Sequence, residues 1–215
     1  MTEHFFIPTG TGESELVEKR SRFLGQVWHV TSEEEARARI EESRKRHYDA
    51  RHNCWCYRLR DSGIERYSDD GEPQGTAGQP MLNVFQREQV ENVCCVVTRY
   101  FGGILLGAGG LVRAYTQSAK NALDGATISV VRRWVEVTLA SPYSLFERIR
   151  VELEKAGGVE EEINYAEEIT LKVLLPEKCA DAFSHILTEL SAGSIQPVMS
   201  GEVFRSVPVD KKYPK

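Results

Sequence analysis

Hydrophobic and polar positions alternate with a period of two in two early stretches of the chain. Glu15–Val30 alternates in this way and predicts a strand or hairpin, and Asn53–Leu59 predicts a second strand whose odd and even positions form opposite faces. Val93–Thr98 is apolar throughout, as expected for a strand buried on both faces. The pattern therefore predicts a sheet in the N-terminal half.

Three segments show helical spacing instead. They run from Ser32 to about His47, from Thr76 to about Arg87, and over Leu111–Leu123. Ser32 and Glu35 form a capping-box signature, and few apolar residues follow, so we expect a surface helix with a thin buried stripe. Pro80 is tolerated only in the first turn of the second helix, and Gly125 predicts the end of the third.

From Trp134 onward the pattern changes to a compact βαββαβ order. The predicted elements are Val135–Leu139, Leu145–Ala156, Val159–Tyr165, Glu168–Leu175, Lys178–Ser191 and Ile195–Phe204. This order is ferredoxin-like. The fold class is thus α+β, with an N-terminal domain over 1–134, a C-terminal domain over 135–207 and a frayed tail at 208–215.

Composition narrows the function classes. The 215 residues carry a net charge of −5, and all of this net charge lies in the C-terminal part, so nucleic-acid binding would require a local basic patch. The chain has no apolar stretch of about 20 residues and no signal-peptide pattern. Its five cysteines lack zinc-knuckle spacing and favour a reducing compartment. We expect a soluble, cytoplasmic protein without membrane association.

Two long motifs carry a resemblance to a known family. They are DDGEPQGTAGQP, which ends at Pro80, and VVTRYFGGILLGAGGLVRAY, which ends at Tyr115. The run from Tyr67 to Ala119 closely resembles the signature region of the YigZ/IMPACT family in its bacterial two-domain form. The resemblance implies an N-terminal ribosomal-protein/GHMP-kinase-like βαβ domain and a C-terminal domain resembling one of elongation factor G. Eukaryotic relatives modulate kinase control of translation initiation, but they add an RWD module that this chain lacks, so we do not expect that kinase-pathway role here.

The acidic stretch Ser68–Pro80 is a candidate for chemistry. Asp69, Asp70 and Glu72 lie within four residues, so two carboxylates could hold Mg²⁺ or share a proton. Thr76 adds a hydroxyl to the same loop. The alternative is that Asp and Gly simply form a turn here for backbone reasons.

The glycine-rich loop before the third helix is a candidate anion site, because free N–H groups and the positive end of the helix dipole lie at a helix start. The residues of this candidate site are Gly107, Gly109, Gly110, Arg99 and Arg113. It is not a Walker A loop, because it lacks the Lys-Ser/Thr pair, and it is not a dinucleotide fingerprint, because Val112 occupies the last glycine position. The alternative is that these glycines only allow close helix packing.

His52 and Tyr100 could join both loops in one polar, aromatic surface, since aromatic rings stack on bases and arginines hold phosphates. The leading hypothesis is a non-enzymatic, translation-associated protein that binds RNA, the ribosome or a translation factor, without a cofactor or sequence-specific DNA binding. One alternative is an enzyme acting on a phosphorylated small molecule or nucleotide with carboxylate-held Mg²⁺. Another is a protein-interaction module with an acidic C-terminal domain.

Overall fold

The chain folds into two compact units that divide after Val130. Their bodies are residues 5–130 and residues 131–205, and the computed structural model describes residues 4–208. The tail predicted at 208–215 lies outside the described residues except for Pro208, which ends the last strand.

The N-terminal unit is built around an antiparallel sheet. Its strands are β1 (His4–Pro8), β2 (Gly12–Glu18), β3 (Ser21–His29), β4 (His52–Leu59), β5 (Ile64–Ser68) and β6 (Val93–Tyr100), and its helices are α1 (Glu33–Arg46), α2 (Gly78–Arg87) and α3 (Ala108–Gly125). Five of these strands form that sheet in the order β2-β3-β6-β4-β5. Strand β1 lies outside this sheet and pairs with the strand that begins at Ile128. The register aligns Arg99 of β6 with Phe23 of β3 on one side and His52 of β4 on the other. The functional motifs therefore meet at one end of the sheet.

Strand alternation assigns the two faces of this sheet to different helices. Trp55, Tyr57 and Leu59 pack in the cluster that contains Ile40 of α1, as the alternation of β4 predicts. On the other face, α2 packs against β4 and β5, while α3 packs against β2, β3 and β6. The sheet is thereby covered by helices on both faces.

Helix α1 confirms the predicted start and the thin buried stripe. Ser32 is the N-cap, and its hydroxyl accepts a hydrogen bond from the Glu35 N–H at 3.2 Å. The return half of the predicted capping box is different, because the Glu35 carboxylate accepts from the Thr31 N–H at 2.7 Å, one residue before the cap. Glu35 thus closes the same turn through a neighbouring donor.

Strands β1 and β5 were not predicted from the sequence. The central residues of β1 are buried, and Phe6 forms an isolated parallel bridge with Val90. Strand β5 is largely exposed and pairs with β4, with Tyr67 opposite Cys56. Neither of these five-residue strands shows a regular alternation of apolar and polar residues, which was the pattern used to predict strands. Their strand conformation comes from pairing with neighbouring segments.

The C-terminal unit has the element order βαββαβ. Its elements are β7 (Ile128–Ser141), α4 (Tyr143–Lys155), β8 (Val159–Tyr165), β9 (Ile169–Pro176), α5 (Glu177–Leu190) and β10 (Val198–Pro208). Strand β7 begins earlier than predicted, and β10 begins at Val198 instead of Ile195. Ile195 is buried in the core and precedes Pro197, which cannot donate to a strand ladder, so the pairing starts later.

Helices α4 and α5 contribute buried side chains to one core with the strands of this unit, including Ile149 and Phe183. Among residues 4–208, no helix combines the length and apolar character needed to span a lipid bilayer.

Candidate functional site

The acidic loop between β5 and α2 is closed by the carboxylate of Asp69. Asp69 Oδ1 accepts hydrogen bonds from the N–H groups of Ala77 at 3.0 Å and Gly78 at 2.8 Å, and Oδ2 accepts from Gly75 at 2.8 Å. Such N–H groups have no carbonyl partner within the helix. The N-cap residue Ala77 offers no side-chain cap, so Asp69 caps α2 from within the acidic loop.

Asp70 ties the same loop to strand β4 and helix α1. Its Oδ2 accepts from the Asn53 N–H at 2.6 Å, and its Oδ1 accepts from Arg44 Nη2 at 3.1 Å. The Asp70 carbonyl accepts from His52 Nδ1 at 2.8 Å. A carbonyl can only accept, so Nδ1 of His52 is the donor in this hydrogen bond.

Glu72 is the centre of a buried polar cluster. Its Oε1 accepts from Arg99 Nη1 at 2.6 Å and from the Tyr115 hydroxyl at 2.9 Å, and His52 Nε2 lies 4.0 Å away. Arg99 Nη2 also donates to Ser21 Oγ at 3.3 Å. Burial raises the pKa of Tyr115 well above its usual range, so its hydroxyl keeps the proton that it donates to Glu72.

Two further predicted residues, Thr76 and Tyr100, also have internal partners. Thr76 is buried and donates to the Pro73 carbonyl at 2.6 Å. The Tyr100 hydroxyl donates to Asp49 Oδ1 at 3.1 Å and lies 3.0 Å from His47 Nδ1, which therefore acts as a donor to it. Thr76 thus stabilises the acidic loop, and Tyr100 stabilises the connection that follows α1.

The glycine-rich loop supplies the first turn of α3. Gly107 is the N-cap with a φ of 74°, a conformation that favours glycine. A Cβ at Gly110 would lie 2.9 Å from the Cβ of Leu106, so this glycine allows a close approach. Gly109 has neither constraint, since a Cβ there would meet only Arg113 Nη1, at 3.6 Å. Backbone conformation therefore explains Gly107 and close packing explains Gly110, whereas Gly109 stays unexplained.

A groove of about 600 Å³ lies where α2 and α3 meet next to β2. Its polar lining comprises Asn83, Arg87, Arg113, Thr116 and Gln117 together with one carboxylate, Glu18, and Pro80 and Gly110 also line it. Within residues 4–208, the side chains of Arg87 and Arg113 form no hydrogen bond or ion pair, and both are exposed. Pro80 ends the acidic loop and Gly110 belongs to the glycine-rich loop. Both predicted motifs therefore contribute a residue to the lining of this groove.

The predicted magnesium alternative has no ligand set in the described part of the chain. No group of three His, Cys, Asp or Glu side chains among residues 4–208 is arranged to hold a metal ion.

Burial raises the pKa of Cys54 and of Cys94 far above the usual range, and both thiols stay protonated. These thiols are therefore poor nucleophiles.

The structure separates the predicted site residues into two groups. One surrounds the acidic loop and comprises His52, Asp69, Asp70, Glu72, Thr76 and Arg99, and the other lies at the start of α3 and comprises Gly107, Gly109, Gly110 and Arg113. Tyr100 belongs to neither group, because its side chain contacts His47 and Asp49 after α1. Sequence reasoning missed Arg87 and placed Tyr115 only in the core. The spacing of Asn83 with Arg87, and of Arg113 with Gln117, places each pair on one helix face.

Comparisons with known proteins agree with the two units. The model of the Impact N-terminal domain matches residues 19–123, and that of a domain of unknown function, DUF1949, matches residues 139–194. A solved structure described as that of a hypothetical protein is 36% identical, has a TM-score of 0.58, and covers 92% of this chain and 98% of its own.

Two bacterial relatives match over most of their length. The IMPACT family member YvyE of Bacillus subtilis is 38% identical over 205 residues, which is 94% of each chain. The IMPACT family member YigZ of Escherichia coli is 39% identical over 181 residues, covering 83% of this chain and 89% of the relative. The predicted family is confirmed, and the chain belongs to the IMPACT family.

Proposed function

We propose that this chain is a translation-associated protein whose N-terminal unit binds RNA, as part of the ribosome or together with a translation factor. The link to translation comes from the family resemblance in the sequence. The choice of RNA rests on chemistry at one place, the groove between α2 and α3. The C-terminal unit is proposed to supply a second contact.

The observation that carries this proposal is the pair of unneutralised arginines in the groove. Most exposed arginines of α1 form ion pairs with neighbouring carboxylates, for example Arg37 with Glu33. Arg87 and Arg113 have no such partner among residues 4–208. Unneutralised guanidinium groups beside a helix start suit phosphate oxygens, which they bind by charge-assisted hydrogen bonds.

The start of α3 adds backbone donors next to the groove, whose lining includes Gly110. Its first turn contains no acidic residue and its N-cap provides no side-chain hydrogen bond. The N–H groups of residues 108–110 have no carbonyl partner in the preceding turn, since the first helical bond runs from Leu111 to Gly107. Together these groups favour an anionic ligand over a neutral one.

The fold of each unit supports the finer assignments made from the sequence. In the C-terminal unit the strand order β10-β7-β9-β8, with its two helices, fits a ferredoxin-like domain of the type found in elongation factor G. We propose domain limits of 1–134 and 135–207, supported by the division after Val130 and by the family matches that end at 123 and begin at 139. The ribosomal-protein/GHMP-kinase likeness of the N-terminal domain stays a proposal.

The enzyme alternative gains no support from the acidic loop. Asp69 and Asp70 direct both carboxylate oxygens to protein donors, and Glu72 is paired with Arg99. A metal or substrate would have to displace these contacts. We therefore assign the acidic loop the role of a brace that positions α2 beside α3.

Co-sedimentation of the protein with ribosomes and with free RNA over a salt series tests the proposal. The double variant Arg87→Ala with Arg113→Ala is expected to bind more weakly at every salt concentration. Each lost phosphate contact is expected to reduce the slope of log K against log salt by about 0.7 to 1. Lys45→Ala is the control, because Lys45 is also an exposed cation on a helix and forms no hydrogen bond or ion pair within residues 4–208. It lies on α1, which covers the opposite face of the sheet from the groove.

Two results would contradict the proposal. The first is an absence of pelleting with ribosomes and RNA at low salt. The second is a thermal shift of several degrees with Mg²⁺ and one phosphorylated metabolite, which would indicate specific ligand binding and favour the enzyme.

A further inference from the structure

The loop between β6 and α3 presents apolar side chains to solvent. Leu105 is 82% exposed, Ile104 is 41% exposed and Phe101 is 40% exposed. Leu106 turns inward and lies against Gly110. A tip of two large aliphatic side chains outside the core is unfavourable in water, and clustered exposed apolar residues indicate a contact surface.

The base of this loop is held firmly in place. The Gly102 N–H donates to Ser21 Oγ at 3.2 Å, and a Cβ at Gly102 would lie 2.0 Å from the Arg20 backbone carbon, so only glycine fits. The Phe101 ring lies over the guanidinium of Arg99, with its centroid 5.5 Å from Cζ. The apolar tip therefore projects from a fixed base and has a defined position.

Cationic residues lie next to both ends of this loop. On one side, Lys19 and Arg20 form the turn between β2 and β3, next to Gly102. On the other, Arg113 lies beside Gly109 at the start of α3. Within residues 4–208, the side chains of Lys19, Arg20 and Arg113 form no ion pair or hydrogen bond.

We infer that this surface, formed by the loop 101–106, the turn at Lys19 and Arg20, and Arg113, binds unpaired RNA. The inference rests on the proposed function and specifies its ligand. Single-stranded RNA exposes base faces between successive phosphates, and proteins bind it by stacking the bases on aromatic rings and by holding the backbone with cations. In this loop the exposed ring is that of Phe101, and Ile104 and Leu105 add apolar surface. An apolar tip between two groups of cations matches that alternation, whereas a paired helix hides its base faces.

Fluorescence anisotropy with two labelled RNAs of equal length tests this inference. One RNA is an unstructured single strand and the other is a perfect duplex, and the full chain is used throughout. We expect the single strand to bind about tenfold more tightly than the duplex, and the double variant Ile104→Ser with Leu105→Ser to lose most of that difference. The salt slope of this variant is expected to stay unchanged, because the lost contacts carry no charge.

Val151→Ser is the matched control, since Val151 is an exposed apolar residue on α4. It is expected to bind both RNAs like the wild type. Far-UV circular dichroism of each variant checks that the fold is retained.

The possible outcomes separate this inference from the proposed function. Equal binding of both RNAs, unaffected by the loop variant, would overturn the inference and leave RNA binding intact. An absence of binding to either RNA, with ribosome pelleting that depends on Ile104 and Leu105, would indicate a protein partner and overturn the inference. Tighter binding to vesicles of phosphatidylglycerol than to the single strand would overturn it in favour of a lipid surface.

Discussion

Arg99 Nη1 lies 2.6 Å from Glu72 Oε1, and both side chains are more than nine-tenths buried. Removing one partner from such a pair leaves the other charge buried without compensation, which typically costs about 3–5 kcal/mol. We expect Arg99→Ala to lower the free energy of unfolding of the N-terminal unit by that amount. Urea denaturation followed by tryptophan fluorescence measures the loss.

Arg113→Ala is the control for this variant, because Arg113 is exposed and is expected to change the free energy of unfolding by less than about 0.5 kcal/mol. The contrary result is an Arg99→Ala protein that is as stable as the wild type and no longer binds RNA. Arg99 would then contact the ligand directly, as the sequence analysis predicted.

Asp69 caps α2 by accepting from the N–H groups of Ala77 and Gly78, and it also accepts from the Gly75 N–H in the preceding loop, so its removal should lower the stability. Asp69→Ala is expected to lower the free energy of unfolding by about 2 kcal/mol, at the upper end of N-cap effects, because a charged acceptor is removed. Asp69→Asn keeps one acceptor oxygen and is expected to lose less. Urea denaturation of both variants checks this order.

Asp61→Ala is the matched acidic control, since Asp61 is exposed and its side chain forms no hydrogen bond or ion pair within residues 4–208. If Asp69→Ala were as stable as the wild type but had lost a Mg²⁺-dependent thermal shift, the capping role would be wrong and the metal alternative would return.

Sequence reasoning predicted elements more completely than the site. The alternation of β4 and the apolar run of β6 identified both strands, and Pro80 fixed the start of α2 to within one turn. The partners of Arg99 and Glu72 could not be read from the sequence, because these residues meet through the sheet register and a loop. Spacing within a motif carries no information about such tertiary pairs.

The environment of His47 predicts that the free energy of unfolding decreases as the pH falls just below neutrality. Partial burial, followed by the charge of Arg46, lowers the pKa of His47 from its ordinary value of 6.5. The unfolded chain therefore binds the proton more readily than the folded one. The contribution of His47 is complete above about pH 6.5 and is lost as the pH falls below that value.

His47→Gln removes this titration, and the glutamine amide can still donate to the Tyr100 hydroxyl. We expect the urea midpoint of the wild type to fall more than that of the variant between pH 7.5 and pH 5.5. Identical falls in both proteins would show that His47 does not contribute to the pH dependence.

Gly109 offers a test in which stability and RNA binding change in opposite directions. Its φ is not in the left-handed region and a Cβ would meet only the end of the Arg113 side chain, so alanine fits the native backbone. Gly109→Ala is expected to raise the free energy of unfolding by about 0.4–1 kcal/mol, because alanine reduces the freedom of the unfolded chain.

The added methyl group of Gly109→Ala also lies at the first turn of α3, where we propose that phosphate approaches the backbone. The affinity for RNA should therefore fall several-fold. Ser144→Ala makes a comparable substitution near the start of α4 and is expected to leave RNA binding unchanged. Greater stability with undiminished RNA affinity would show that ligand approach is not the reason for glycine at this position, and lower stability would show that the backbone there does require it.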